Sequence, residues 1–99
     1  MRMMLKVQMD VDAGNRAVKD GTLPATMERA IDELKPEAAY FITEGGRRTA
    51  LMFFDLQESS QMPAVAEPFF MNLAAGVSFT PAMNAEDLRN GLHGLAGGA

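Results

Sequence analysis

Two adjacent glycines, Gly45 and Gly46, separate two stretches of residues that favour β-strands. The first stretch, residues 37–44, and the second, residues 47–56, are rich in Tyr, Phe, Ile, Thr and Leu. A two-residue turn between antiparallel strands needs positive φ angles, which glycine adopts without steric penalty. The sequence therefore predicts a tight β-hairpin across these two stretches.

The faces of this hairpin follow from placing Glu44 opposite Arg47, which also makes the two residues cross-strand partners. One face then carries Ala38, Tyr40, Ile42, Thr49, Leu51 and Phe53, and the other carries Phe41, Ala50, Met52, Phe54 and Leu56. The second strand is thus apolar on both faces. Helices on one side would leave the other apolar face exposed unless a second chain covers it, so we expect a homodimer.

Residues 3–11 alternate between apolar and polar side chains, which is the period of a β-strand. Asp12 is placed to cap a first helix and Gly21 to end it. Pro24 suits the first turn of a second helix, and Pro36 ends that helix. Polar residues on the strand, including Lys6, are expected to pair across a dimer axis, together with Gln8 and Asp10.

The second half of the chain repeats this alternation of helix and strand. Ser59 or Ser60 is expected to cap a third helix that runs to about Leu73 and kinks at Pro68 near Glu67. A last strand is predicted over residues 77–83 after Gly76, followed by a helix that Asn84 caps. The apolar stripe of that final helix consists of Leu88, Leu92 and Leu95.

The element order, βαββαβ followed by α, predicts an α+β fold of the ferredoxin-like type. We expect one domain over residues 1–95 and a flexible tail over residues 96–99. The first and third strands are predicted as parallel central neighbours, with the second and fourth strands at the edges. Helices are expected on one face of the sheet only.

With this order, the hairpin at Gly45 and Gly46 and the extra C-terminal helix, the chain resembles the dimeric α/β barrel superfamily. The segments KPEAAYF, GRRT and EPFF, at residues 35–41, 46–49 and 67–70, look like a subgroup of small bacterial proteins within it. The superfamily includes antibiotic-biosynthesis-type monooxygenases and muconolactone isomerase-like proteins. The resemblance implies a homodimer in which two sheets pack face to face.

Composition excludes several classes of chemistry. With no cysteine and a single histidine, the chain has no disulfide, thiolate zinc site or three-histidine metal centre, so we expect no metal and no cofactor. A net charge of −4 argues against nucleic acid or anionic lipid as a partner. Polar residues interrupt the N-terminal apolar run and no stretch resembles a membrane span, so the sequence predicts a cytoplasmic protein.

Five residues are predicted to bind a ligand between the sheet and the helices: Tyr40, Phe53, Phe69, Met71 and Asn72. A kink at Pro68 would keep the third helix from packing flush, and Tyr40 and Asn72 would orient a mostly apolar molecule. Tyr40 alternatively reads as a core tyrosine with a local hydrogen bond, and Asn72 as an exposed residue at a helix end.

Two functions fit these features. The first is a homodimeric protein that binds a small apolar or aromatic molecule; the alternative is a cofactor-independent monooxygenase or isomerase acting on a conjugated ring. An enzyme needs a base, for which His93, Glu67 and Asp55 are the candidates. A dimer module without any cavity is a third possibility.

Overall fold

The computed structural model describes residues 1–96 as an α+β fold. In chain order the elements are β1 Arg2–Gln8, α1 Val11–Asp20, α2 Thr22–Leu34, β2 Ala38–Glu44, β3 Arg47–Asp55, a 3-10 turn Ser59–Gln61, α3 Met62–Leu73, β4 Gly76–Pro81 and α4 Ala85–Ala96. The tail predicted over residues 96–99 starts at the last residue of α4, and residues 97–99 lie outside the described residues.

The four strands form one antiparallel sheet in the order β2-β3-β1-β4. The predicted central and edge positions are confirmed, but the prediction that β1 and β3 run parallel is wrong. The helices return the chain so that β2 runs in the direction of β1. The hairpin then reverses β3, which lies between them and is antiparallel to both. This arrangement is compatible with a ferredoxin-like fold.

The hairpin prediction is confirmed. Gly45 and Gly46 form the turn with φ angles of 60° and 77°. The register places Tyr40 opposite Leu51 and Ala38 opposite Phe53. The assignment of residues to the two faces of the hairpin therefore follows the predicted alternation.

The hydrophobic core lies between one face of the sheet and helices α1 to α3. The strands contribute Leu5, Val7, Ala50, Met52 and Phe54, and the helices contribute Ala17, Met27, Phe69 and Leu73. We call the other side of the sheet the open face; it carries Arg2, Met4, Lys6, Gln8, Ala38, Tyr40, Ile42, Glu44, Thr49, Leu51, Phe53, Ser78 and Thr80.

The N-terminus of α1 differs from the prediction. Asp10, not Asp12, is the N-cap: its backbone is extended and its carboxylate accepts a hydrogen bond from the Ala13 N–H over 2.9 Å. β1 accordingly ends at Gln8, before the predicted limit of residue 11. Gly21 ends α1 in the left-handed conformation with φ 84°, as the sequence predicts.

The caps of α3 and α4 give one correction and one confirmation. Neither Ser59 nor Ser60 caps α3; instead Glu58 and Gln61 form reciprocal hydrogen bonds around the 3-10 turn that precedes it. Asn84 caps α4 as predicted, because its Oδ1 accepts from the Asp87 N–H over 2.8 Å. β4 ends at Pro81, two residues short of the predicted limit.

Candidate ligand groove between α2 and α3

A groove of about 910 Å³ lies between α2 and α3 above the end of β3. Its apolar lining includes Ala30, Leu34, Phe54, Leu56, Val65 and Phe69. Small-molecule sites in proteins usually measure about 300 to 1,000 Å³ and are mostly apolar with a few polar groups. The groove therefore has the size of a small-molecule site, and its lining combines apolar with polar residues.

One hydrogen bond joins the two helices across the groove. The Nδ2 of Asn72 on α3 donates to the Thr26 Oγ1 on α2 over 3.3 Å, and both residues line the groove. Thr26 is only 7% exposed. The Asn72 carbonyl oxygen and the Thr26 hydroxyl proton are not used in this bond, so the pair offers an acceptor and a donor.

Pro68, in the interior of α3, adds a backbone acceptor at the same place. Proline has no N–H, so the carbonyl of Ala64, one turn earlier, lacks its usual partner within the helix. Ala64 and Pro68 both line the groove. The prediction of a space beneath Pro68 is thus confirmed, although α3 continues through this residue to Leu73.

Of the four charged residues at the rim of the groove, three form ion pairs, and Lys35 forms none with the described residues. The Arg29 Nε donates to Glu33 Oε1 over 2.9 Å, and this hydrogen bond raises the pKa of Arg29 above its usual value. Asp55 accepts from the N-terminal ammonium group over 2.6 Å. Paired rim charges give no strong preference for an anionic or a cationic ligand.

The structure brings together only two of the five predicted ligand residues. Phe69, 1% exposed, and Asn72 line the groove. Tyr40 and Phe53 lie on the open face, across the sheet from the groove, because odd positions of β3 point away from the helices. Met71 lies on α3 outside the groove and is 74% exposed. The expected convergence of all five residues is therefore not found.

Several groove residues were missed because α2 was treated as a core helix only. Thr26 is the clearest case, since a threonine on the buried side of a helix needs a partner for its hydroxyl. The neighbours Leu23 and Met27 indicated this side of α2 from the sequence. The sequence pattern does not predict the distance between α2 and α3, and the groove depends on that distance.

The three candidate bases lie apart from one another. Asp55 borders the groove but binds the N-terminal ammonium group, and Glu67 is exposed on α3 outside the lining. His93 is exposed on α4. Over residues 1–96, no group of three His, Cys, Asp or Glu side chains could hold a metal ion.

Polar residues on the open face pair within the chain. Lys6 forms an ion pair with Glu44, and the Gln8 side chain donates to the Glu44 carbonyl over 3.1 Å. Glu44 is thus engaged by Lys6, although Arg47 lies directly opposite it in the register. This local pairing differs from the expectation that Lys6, Gln8 and Asp10 pair across a dimer axis.

Comparison of the chain with protein-family models, curated proteins and solved structures finds no significant match. The resemblance to the dimeric α/β barrel superfamily therefore stays a prediction. None of the helices described between residues 1 and 96 is long and apolar enough to cross a membrane.

Proposed function

We propose that the protein is a homodimer that binds a small, uncharged, mostly apolar or aromatic molecule in the groove between α2 and α3. The observation that carries this proposal is the Asn72 to Thr26 hydrogen bond beside the apolar part of the lining, which includes Phe54 and Phe69. Such a pair orients one polar group of a ligand, while the phenylalanines contact its apolar body.

The polar atoms at the groove favour a ligand with a hydroxyl or N–H group. Among the polar atoms around the Asn72 to Thr26 bond, two are acceptors, the Asn72 carbonyl oxygen and the Ala64 carbonyl that Pro68 leaves without its helical partner. The Thr26 hydroxyl is the donor. An aromatic alcohol or amine satisfies these atoms without bringing a charge into the groove.

The homodimer part of the proposal is supported by the open face. Tyr40 and Ile42 are 60% and 41% exposed there, beside the half-buried Leu51 and Phe53. A cluster of exposed apolar side chains on a sheet face is commonly an interaction surface. It is also the face that a dimeric α/β barrel would bury between its two sheets.

Binding without catalysis has the stronger support of the two predicted functions. A monooxygenase or isomerase acting on a conjugated ring needs a base beside its substrate. Of the candidates only Asp55 borders the groove, and it is held by the N-terminal ammonium group.

A neutral fluorescent probe, N-phenyl-1-naphthylamine, tests the groove directly. We expect saturable fluorescence enhancement with the unmodified chain. Ala64→Trp, which places an indole in the groove, is expected to weaken binding at least about tenfold, equivalent to about 1.4 kcal/mol. Met71→Trp, on the same helix but outside the groove, is the matched control.

The two substitutions also distinguish binding in the groove from binding elsewhere on the surface. Equal binding by both variants would contradict the assignment of the groove, and loss of binding in both would indicate a nonspecific surface. Circular dichroism and thermal unfolding establish that each variant is folded before the titrations are compared.

A further inference from the structure

The C-terminal helix α4 projects from the body of the protein. The radius of gyration is 15.9 Å and the longest dimension is 57 Å, whereas a compact domain of about 100 residues has a radius near 13 Å. No extensive packing joins α4 to any other helix or strand of the described chain. The helix is therefore anchored at one end and free along most of its length.

One side of α4 is apolar and exposed to solvent. We call Leu88, Leu92 and Leu95 the leucine stripe; they are 46%, 54% and 82% exposed. A helix of this length is marginal in water by itself, and Gly91 and Gly94 lower its intrinsic stability further. An unsupported α4 would unfold readily, so its helical form indicates a packing partner.

The anchor sets the side of the sheet on which α4 begins. Arg2 has the parity of the open face in β1, and its guanidinium binds both Glu37 and Asp87. The hydrogen bond that Arg2 donates to the Glu37 carboxylate raises the pKa of Arg2. A backbone hydrogen bond from Ala82 N–H to the Arg2 carbonyl, over 3.1 Å, holds the segment before α4.

From this anchor α4 extends without covering the open face of its own chain, where Tyr40 is 60% exposed. The chain thus presents two unpartnered apolar surfaces on the same side, a projecting helix and a sheet face. A second copy related by a twofold axis satisfies both at once, because each helix then meets the other sheet. No other partner is needed to explain these two unpartnered surfaces.

The charge distribution and the buried area also favour a second copy of this chain as the partner. Lys6 and Glu44 are already paired on the open face, and the polar residues Asn90 and His93 lie on the side of α4 opposite the leucine stripe. Arg89 lies at the flank of the helix, about 90° from the stripe, so the leucine side itself brings no charge onto the sheet.

The sheet face measures about 19 by 23 Å from strand spacing and rise. The helix, about 18 Å long, extends this surface. If the partner's sheet covers the part of this face that its helix leaves exposed, the buried surface is about 600 Å² per partner, compared with roughly 800 Å² in typical stable complexes.

We infer that α4 is exchanged between two copies of this chain, its leucine stripe packing on the partner's open face beside Tyr40 and Ile42. This inference rests on the proposed homodimer but is independent of the ligand groove. It assigns the projecting helix the role of a clasp that ties one subunit to the other.

Cysteine cross-linking tests the exchange, because the chain has no native cysteine. Chains carrying Leu92→Cys are mixed and refolded with differently tagged chains carrying Ile42→Cys. Under mild oxidation we expect a disulfide between the two tags. A chain carrying both substitutions, diluted into excess unmodified chain, should form no internal disulfide; rapid internal closure there would overturn the exchange.

A pair of double variants measures the energetic role of the leucine stripe. Leu88→Ser with Leu92→Ser is expected to raise the dimer Kd at least about 100-fold in sedimentation equilibrium. Asn90→Ser with His93→Ser, on the opposite side of α4, is the matched control and should leave the Kd nearly unchanged. An unaltered Kd in the leucine variant would overturn the clasp.

These results also distinguish the exchange from the other proposals. A dimer without the cross-link, and with an unaltered Kd in the leucine variant, would reject the exchange and keep the homodimer. A mass near 10.7 kDa for the unmodified chain at micromolar concentration would reject both. Neither outcome affects binding of N-phenyl-1-naphthylamine to the groove, which is measured separately on the same samples.

Discussion

Asn72 on α3 donates a hydrogen bond to the Thr26 hydroxyl on α2 over 3.3 Å, and both residues line the groove between these helices. The bond links two helices that are joined through separate parts of the chain. It has two consequences that experiment can separate, one for stability and one for ligand orientation.

A double-mutant cycle measures the contribution of this hydrogen bond to the free energy of unfolding. Thr26→Val keeps the side-chain volume and Asn72→Ala removes the donor, so each is expected to cost about 0.5 to 1.5 kcal/mol in free energy of unfolding. We expect the double variant to be less destabilised than the sum of the single ones in urea titrations. Strict additivity would contradict an energetic role for the bond.

The position of Tyr40 gives a second prediction. Tyr40→Phe removes one hydroxyl on the open face, across the sheet from the groove. Binding of N-phenyl-1-naphthylamine should therefore be unchanged, whereas Asn72→Ala should weaken binding of 1-naphthol, whose hydroxyl can bond to Asn72. Fluorescence titrations measure both. Weaker binding in the Tyr40 variant would place the site on the other side of the sheet.

A third prediction concerns pH and the junction between α1 and α2. Hydrogen bonds from the Thr22 hydroxyl and backbone N–H lower the pKa of Asp20 below its ordinary value near 3.8. A lowered folded-state pKa stabilises the fold above the unfolded pKa, and that stability disappears as pH falls through the folded value.

Asp20→Ala should accordingly lower Tm at neutral pH. The difference from the unmodified chain should shrink as pH falls below about 4. Thermal unfolding monitored by circular dichroism between pH 7 and 2 provides the measurement. Asp32→Ala, an exposed aspartate of α2, serves as control, and a similar pH-dependent difference there would argue against a specific role for Asp20.

Gly14 provides a fourth prediction. An added Cβ there would lie 2.7 Å from the Arg48 Nη1, whose guanidinium also donates to Asn15 over 3.0 Å. In an Arg48→Ala background, Gly14→Ala should stabilise α1 by about 0.5 to 1 kcal/mol through helix propensity. In the unmodified chain the gain should be smaller, since the arginine must move. An equal gain in both backgrounds would show that the close approach carries no cost.

Local patterns in the sequence predicted most of the fold. The glycine turn and strict alternation established the hairpin register, and Gly21 and Asn84 marked helix boundaries through their backbone chemistry. The predicted direction of β1 relative to β3 was wrong, because this direction depends on the number of chain reversals across the whole sheet. Asp12 was predicted as the cap because the alternating pattern assigned Asp10 to β1, and only the backbone angles show that the strand ends before Asp10.

The candidate site was harder to predict for a physical reason. Phe69 and Asn72 were found because Pro68 indicated imperfect packing of α3. Tyr40 and Phe53 were assigned to the same site although the alternation of the hairpin separates them from the groove-lining Phe54. A pocket depends on distances between elements, and periodicity within one element contains no information about those distances.

The edge position of β2 indicates where intermolecular aggregation of this chain starts at high expression. Within the described residues no strand lies beyond β2, so one row of its backbone N–H and C=O groups is available to a neighbour. Residues 38–43 are uncharged and rich in aromatic and β-branched side chains, the composition that promotes intermolecular sheet growth. Glu44 supplies the first charge after this segment. Fibrillar aggregation at high expression would accordingly begin at this strand.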